Sequence, residues 1–273
     1  VISVVIPARN AARHIGDQLT ALASQSYDGE WEVVVADNGS RDETRQRVAA
    51  AGGGLPEVRV VDAGARPGIN RARNAGARAA RGSVLLFCDA DDRVEPAWVA
   101  AMVRALDDAE GAGGRLRRER PDAAFTSGLL HWPGFLPFAS GANCGVRAEV
   151  FHAIGAFDER FAGGGDDVDF FWRLQLGGHR LVFAPDAVVD YRERPTARGL
   201  AAQAFRHGYR DPLLYRVFRG QGMPPSSATV AAKAWARLVL DARPSADRRE
   251  WARRAGRRAG RIAGSVRYGV RYL

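Results

Sequence analysis

Residues 83–95 read SVLLFCDADDRVE. Val84–Cys88 is an unbroken apolar run that stops abruptly at three carboxylates, Asp89, Asp91 and Asp92. A run of this kind predicts a fully buried strand, with the acids where it leaves the core. Side chains two apart in an extended chain share a direction, so Asp89 and Asp91 point together while Ala90 faces away. Neighbouring carboxylates repel unless a cation lies between them, and hard oxygen ligands at a strand end suit Mg²⁺ or Mn²⁺. The plain alternative is a solvated acidic turn that caps a helix over residues 96–106. D-x-D alone does not separate the two, so the surrounding chain has to decide.

Upstream, β-branched runs at residues 2–6, 31–36 and 58–61 alternate with helical patterns at 12–24, before the glycines 52–54, and at 70–80. Strands alternating with helices predict a parallel, helix-covered sheet of the α/β class. Ligands in such sheets bind outside the carboxyl ends of the strands. Residues 7–10, 37–42 and 89–92 all fall at such ends. Downstream, residues 110–120 (EGAGGRLRRER) read as a mobile surface loop. Residues 123–127 read as a strand, 131–138 as an irregular aromatic wall, and 147–154 as a short helix. Gly163, Gly164 and Gly165 precede a helix opened by Asp166 and Asp167, a placement that lifts these acids above an ordinary helix cap. Short strands are expected at 181–184 and 187–189, then a basic helical region from residue 200.

Lys and Arg total 40 against 31 Asp and Glu, net +9. Residues 225–273 alone hold 12 against 3, so residues 1–224 balance at 28 to 28 and the basic character belongs to a tail. Gly and Pro concentrate near residues 222–227, which places a main domain at 1–222 and a basic Arg-rich helical tail at 223–273. Cys88 and Cys144 have no metal or redox spacing, which suits reduced thiols and a cytoplasmic location. No apolar run is long enough to span a bilayer. The chain opens directly on a strand without a signal-peptide pattern, and its first residue, Val1, suggests that a short leader or tag is missing.

With these segments in order, the chain resembles an inverting family 2 glycosyltransferase of GT-A fold over roughly residues 1–215. The resemblance is carried by SVVIPARN, ADNGSRDET, GINRARNAGARAARG, DADD, SGANCGVRAEVFHAIGAFDE and GGGDDVDFFWRLQLGGHRL. It implies a Rossmann-like, mostly parallel sheet flanked by helices, with the basic helices as an appendage. It also implies a nucleotide-diphosphate sugar donor, of UDP or dTDP type, and a divalent cation, Mn²⁺ or Mg²⁺. Pro7, Ala8 and Arg9 would wall the base and ribose, Asp37 would accept from a base N–H, and Asn38, Gly68, Asn74, Asp89 and Ala90 would complete the donor side. Asn74 doubles as a structural residue. Asp91 would ligate the cation with Asp89, while Asp92 would support them or cap a helix. Asp167, paired with Asp166, would be the general base toward an acceptor hydroxyl, saccharide or lipid-linked. Gly141, Asn143, Trp172 and Arg173 would shape the acceptor and sugar side. Where relatives often carry a histidine metal ligand, this sequence has Asp190, which leaves metal preference open. The absence of Q-x-x-R-W favours transfer of single sugars.

Two rival readings fit the sequence less well. A sugar-nucleotide pyrophosphorylase needs a Gly-rich basic loop after the first strand, and Pro7-Ala8-Arg9-Asn10 supplies none. A degenerate nucleotide-sugar binding or scaffold protein fits Asp190 but not the retention of Asp89, Asp91 and Asp167. For residues 225–273, nucleic-acid binding is not expected, since aromatic interleaving is thin. Peripheral contact with an anionic membrane, or a plain solvated helical appendage, fits better.

Overall fold

The computed structural model describes residues 1–51, 53–118, 126–242 and 247–273. In chain order the first elements are β1 (Ile2–Ala8), α1 (Ile15–Ala23), β2 (Trp31–Asp37), α2 (Thr44–Ala49), β3 (Glu57–Asp62), α3 (Ile69–Ala79) and β4 (Val84–Cys88). They are followed by β5 (Arg93–Val94), α4 (Trp98–Ala105), β6 (Gly111–Arg118), β7 (Leu130–His131), β8 (Pro137–Phe138), β9 (Asn143–Arg147) and α5 (Ala148–Ala153). The last are α6 (Asp166–Leu176), β10 (Leu181–Tyr191), α7 (Ala197–Phe218), α8 (Ala228–Leu240) and α9 (Arg248–Tyr268).

Packing divides the chain into two compact units. The first holds residues 1–132, 136–162 and 166–192; the second holds 133–135, 163–165 and 193–273. This division falls earlier in the sequence than the compositional one near Gly222.

In the first unit the strands form a sheet of order β3-β2-β1-β4-β9-β6-β10-β5, as the fold class predicted. Neighbours pair in parallel except at β4–β9, β9–β6 and β10–β5. Every residue of β1 and β4 is buried, which is why β4 reads as an uninterrupted apolar run and β1 as one broken only by Ser3, which donates to Glu32. One face of the sheet packs Val4, Ile6, Leu86 and Cys88 against Ile15, Leu19, Trp98 and Met102. The other packs Val5, Leu85 and Phe87 against Ala77, Phe151, Phe157 and Phe170. The small residues of α3 permit its close approach: a Cβ at Gly76 would lie 2.5 Å from Val5 Cγ1.

Two local expectations differ from the structure, and a third falls largely outside the described residues. Residues 111–118 of the segment read as a mobile loop form strand β6, half of whose residues are buried, and residues 119 and 120 lie outside the described residues. Its glycines serve packing: Cβ atoms at Gly113 and Gly114 would collide with Ala139 and with Asn143 and the Ala187 carbonyl. The two short strands near residue 185 are one strand, β10, whose pairing with β6 shifts register between Ala184 and Val188. Of the strand expected at 123–127, residues 123–125 lie outside the described residues, and Thr126 and Ser127 are not in a strand.

The second unit is built on α7 and α9, which run parallel. Gly256, Gly260 and Gly264 of α9 lie against the backbone of Ala201, Phe205 and Tyr209, where any Cβ would strike a carbonyl oxygen. Buried Asp211 accepts from Arg257 and Arg261 across the same seam. Asp247 caps α9 by accepting from Arg249 N and Glu250 N. No helix among the described residues is long and apolar enough to cross a membrane.

Candidate active site

The carboxyl ends of β1, β2 and β4 open on one rim. Pro7 and Ala8, both buried, stand in register with Ala36 and Asp37. The loops that follow β1 and β2 are tied together. Asn10 N donates to Ser40 Oγ at 2.9 Å, and Asn10 Oδ1 accepts from Arg41 N at 2.9 Å. Ala11 N donates to Thr44 Oγ1 at 2.8 Å, and Ala12 N to Asp42 Oδ2 at 3.0 Å. Asn10 turns the chain there with a φ of +52°, a left-handed conformation that Asn tolerates better than most residues. Arg9 is exposed beside it.

Asp37 is fully buried and already engaged, accepting from Ser40 N at 3.2 Å and pairing with Arg45. Burial opposes its charge, but Ser40 and Arg45 outweigh that and hold the carboxyl below the usual range. The turn-capping role is therefore present at this position. Asn38 pins the 63–68 loop, donating to the carbonyls of Ala63 and Arg66 and accepting from Gly68 N at 2.7 Å.

At the end of β4, Asp89, Asp91 and Asp92 each offer a carboxylate oxygen, all within 4.8 Å of one another. Gln18 of α1 fastens this loop: its amide donates to Asp89 O at 3.2 Å and accepts from Val94 N at 3.0 Å. Asp92 is no helix cap. It is 3 % exposed, and its Oδ1 accepts from Arg192 N at 2.8 Å. Its Oδ2 is buried without a hydrogen-bond partner among the described residues. Burial, with Asp89 close by, pushes its pKa up to about 9. Three converging oxygens, one of them buried and unspent, fit a hard divalent cation.

The residue that joins this group to the rest of the site is Arg73 of α3. Its side chain is 3 % exposed, and Nη2 donates to Asp89 Oδ1 and to Gly141 O, both at 3.0 Å. Nη1 donates to Asp166 Oδ2 at 2.7 Å, and the guanidinium lies 5.3 Å from the Phe157 ring centre. Burial works against its charge, yet Asp89 and Asp166 hold its pKa above the usual arginine value. Asp166 and Asp167 open α6. Asp167 is half-buried, accepting from Gly141 N at 3.3 Å and from Val168 N at 2.9 Å. Burial raises its pKa against the opposing pull of Arg73 and the two backbone donors. Arg73 thus brings Asp89, Gly141 and Asp166 to one place. Sequence reasoning missed it, because a small-residue helix carrying Arg71, Arg73 and Arg78 reads as solvated on its basic positions.

Other expected residues are engaged in other ways. Asp190 is not part of the carboxylate group. It is held by Arg117 and Arg93, and Arg117 chiefly keeps it below the usual carboxylate range. It lines a cleft of about 890 Å³ together with Asp92, Glu95, Arg117 and Asp17. Asn143 is fully buried and structural: it accepts from Trp98 Nε1 at 2.8 Å and donates to the carbonyls of Arg115 and Ala187. Trp172 is core, its Nε1 donating to Leu136 O and its ring edge-on to Trp132 at 5.4 Å. Arg173 clamps Asp169 and the carbonyls of Ile154 and Ala156. Asn74 holds both backbone atoms of Phe157, a structural role. Ala90 is buried within the carboxylate loop.

The pattern of Glycosyl transferase family 2 matches residues 3–155, more than half the chain, taking in the rim, the carboxylate group, Arg73 and Gly141. The chain belongs to glycosyl transferase family 2. It is 29 % identical over 219 residues to the glycosyltransferase AglE of Haloferax volcanii, covering 76 % of this chain and 71 % of that protein. It is 26 % identical over 233 residues to the pre-mycofactocin glycosyltransferase of Mycobacterium tuberculosis, spanning 79 % of this chain but only 48 % of that relative. Among solved structures, the mannosyltransferase PcManGT of Pyrobaculum calidifontis, in complex with GDP-Man and Mn²⁺, superposes with a TM-score of 0.71 at 20 % identity, covering 96 % of this chain and 86 % of that one. TarS of S. aureus with UDP-GlcNAc superposes with a TM-score of 0.59 at 17 % identity, covering 100 % and 93 %. At these identities the superpositions establish the GT-A fold, and the family membership makes the protein a glycosyltransferase.

Proposed function

We propose that this glycosyltransferase moves one sugar from a nucleotide-diphosphate sugar to an acceptor hydroxyl with inversion at the anomeric carbon, working in the cytoplasm. The observation that carries the proposal is the Arg73 bridge, which joins the carboxylate loop to the acids that open α6. A cation-binding end and a proton-accepting end then serve a single reacting centre. Asp89, Asp91 and Asp92 are the residues that would hold Mn²⁺ or Mg²⁺, whose chemistry is to offset the charge of the departing diphosphate. Asp167 takes the proton of the acceptor hydroxyl. The acceptor oxygen bonds to the anomeric carbon as the bond from that carbon to the diphosphate oxygen breaks, and the nucleoside diphosphate leaves with the electron pair. A carboxylate whose pKa burial has raised is a stronger base than an exposed one, and Asp167 has that environment. Arg73 fixes Asp166 and offsets its charge. Pro7, Ala8, Arg9, Asn38 and Gly68 line the donor's nucleoside. Asp37 is fully buried beside Ser40 and Arg45, so for it to read a base N–H the side chain must first become accessible.

Calorimetry with UDP, GDP and dTDP, each with Mn²⁺, Mg²⁺ or EDTA, tests this on the wild type, Asp91→Ala and Asp190→Asn. The expected result is cation-dependent binding of one nucleotide, lost in Asp91→Ala and kept in Asp190→Asn. Uracil or thymine is favoured, and the GDP-Man complex of one neighbour is the reason that guanine is included. No binding under any metal condition would overturn the proposal in favour of an inert scaffold. Loss in Asp190→Asn alone would move the cation toward Asp190.

A further inference from the structure

The second unit exposes apolar side chains next to cations that no acid neutralises. Of α8, only Ala231 and Leu238 are buried. Val230, Trp235, Val239 and Leu240 are exposed, Val239 to 73 %. On α9, Ile262 and Val266 are exposed too, Val266 to 79 %. Single exposed apolar residues are ordinary, but a largely apolar helix open on most of its circumference marks a surface that something covers. The two helices are tied side by side, by Trp251 Nε1 donating to Leu238 O at 2.9 Å and by Arg254 with Asp241 at 2.9 Å.

The charge on this surface is of one sign. The acids near it are spent within the unit: Glu250 on Arg253 and Arg254, Asp241 on Arg254, and Asp211 on Arg257 and Arg261. Among the described residues, Lys233, Arg237, Arg258 and Arg267 have no acidic partner. Arg258 is crowded by like charge, and partial burial together with Arg261 and Arg254 lowers its pKa from the ordinary arginine value. A second copy of the same surface would set cation against cation. The complementary surface is layered, with anionic groups outside and apolar material beneath, which describes an anionic bilayer.

We infer that α8 and α9 form a peripheral docking face for an anionic lipid surface. Val239 and Leu240, on the side of α8 turned away from buried Ala231 and Leu238, enter the headgroup–acyl boundary, and Lys233, Arg237 and Arg267 meet lipid phosphates. The inference does not depend on the transferase reaction.

The test is co-sedimentation of the full chain with vesicles of phosphatidylcholine, with and without phosphatidylglycerol, at rising salt. Two variants, Val239→Ser/Leu240→Ser and Lys233→Glu/Arg237→Glu, change only exposed positions, and circular dichroism with thermal unfolding checks that each remains folded. The wild type should partition onto the anionic vesicles alone and be released by salt, and each variant should lose roughly tenfold or more of that partitioning. Equal binding to phosphatidylcholine, no binding to either vesicle, or vesicle binding undiminished in both variants would overturn the inference. So would a dimer, seen by light scattering, that Val239→Ser/Leu240→Ser abolishes, since the face would then belong to a second copy.

Discussion

Replacing Arg73 by methionine keeps the stem of the side chain and deletes the guanidinium that meets Asp89, Asp166 and the Gly141 carbonyl. Breaking a buried ion pair by removing one partner costs about 3–5 kcal/mol, because the charge left behind has neither water nor a counter-ion. Two carboxylates are stranded here, and protonating them offsets only part of the cost. For a chain of this size, about 1 kcal/mol moves the melting temperature by about 2–4 °C, so Arg73→Met should lower it by about 6–20 °C. A double-mutant cycle assigns the cause. Asp166→Asn removes one stranded charge, so Arg73→Met/Asp166→Asn should be less destabilised than the sum of the single changes, by about 0.5–3 kcal/mol. Urea unfolding of the four proteins, followed by circular dichroism, measures this. A loss under about 1 kcal/mol for Arg73→Met, or strict additivity in the cycle, would refute Arg73 as the electrostatic link between the two ends of the site.

Asp167→Asn should lower kcat by about 10²–10⁴-fold with little change in nucleotide affinity, as measured by transfer assay and calorimetry. Because burial raises the pKa of Asp167, the acidic limb of the kcat profile should lie above the ordinary Asp range, with activity rising as pH increases through it. Glu32 is buried, yet Arg81 N, Ser3 and Arg59 bring its pKa below the usual value. Its stabilising contribution is present above the unfolded-state pKa of about 4.3 and is lost as pH falls through the lower folded value, so the melting temperature should drop less steeply with acid in Glu32→Gln than in the wild type. Gly260→Ala drives a Cβ into the Phe205 carbonyl and should cost about 1–3 kcal/mol in urea unfolding, whereas Ala substitution at Gly220, which has open space around it, should cost far less.

The parts of the fold legible in the sequence were those with a strong period or a sharp change of polarity. Ile2–Ala8 and Val84–Cys88 are buried on both faces, and runs that are apolar throughout, or apolar but for Ser3, have no other economical placement. Strand β6 was illegible because its glycines signal a loop, whereas here they admit Ala139 and the Ala187 carbonyl. The polar rim was legible from Asp37 and Asp89–Asp92 at strand ends, but the partner of each acid was not. Arg73 and Arg71 are two residues apart on one helix, one buried and one half-exposed, and nothing local distinguishes them. Asp190 shows the same limit in reverse. Its position in the chain suggested a ligand, and its burial beside Arg117 became apparent only once β10 and β6 were paired.

The glycines of α9 recur every four residues, at 256, 260 and 264, and so do three of its arginines, at 253, 257 and 261. Sliding α9 by one turn, about 6 Å along its axis, would therefore again set glycine against α7 and arginine against Asp211. The seam is self-similar, so its middle carries almost no information about alignment. Alignment is decided at the extremities, where Tyr268 meets Arg210, Trp251 meets the Leu238 carbonyl and Leu273 N meets Ser226. A chain cut short after Arg267 would keep the repeating seam and lose two of the three contacts that fix its alignment.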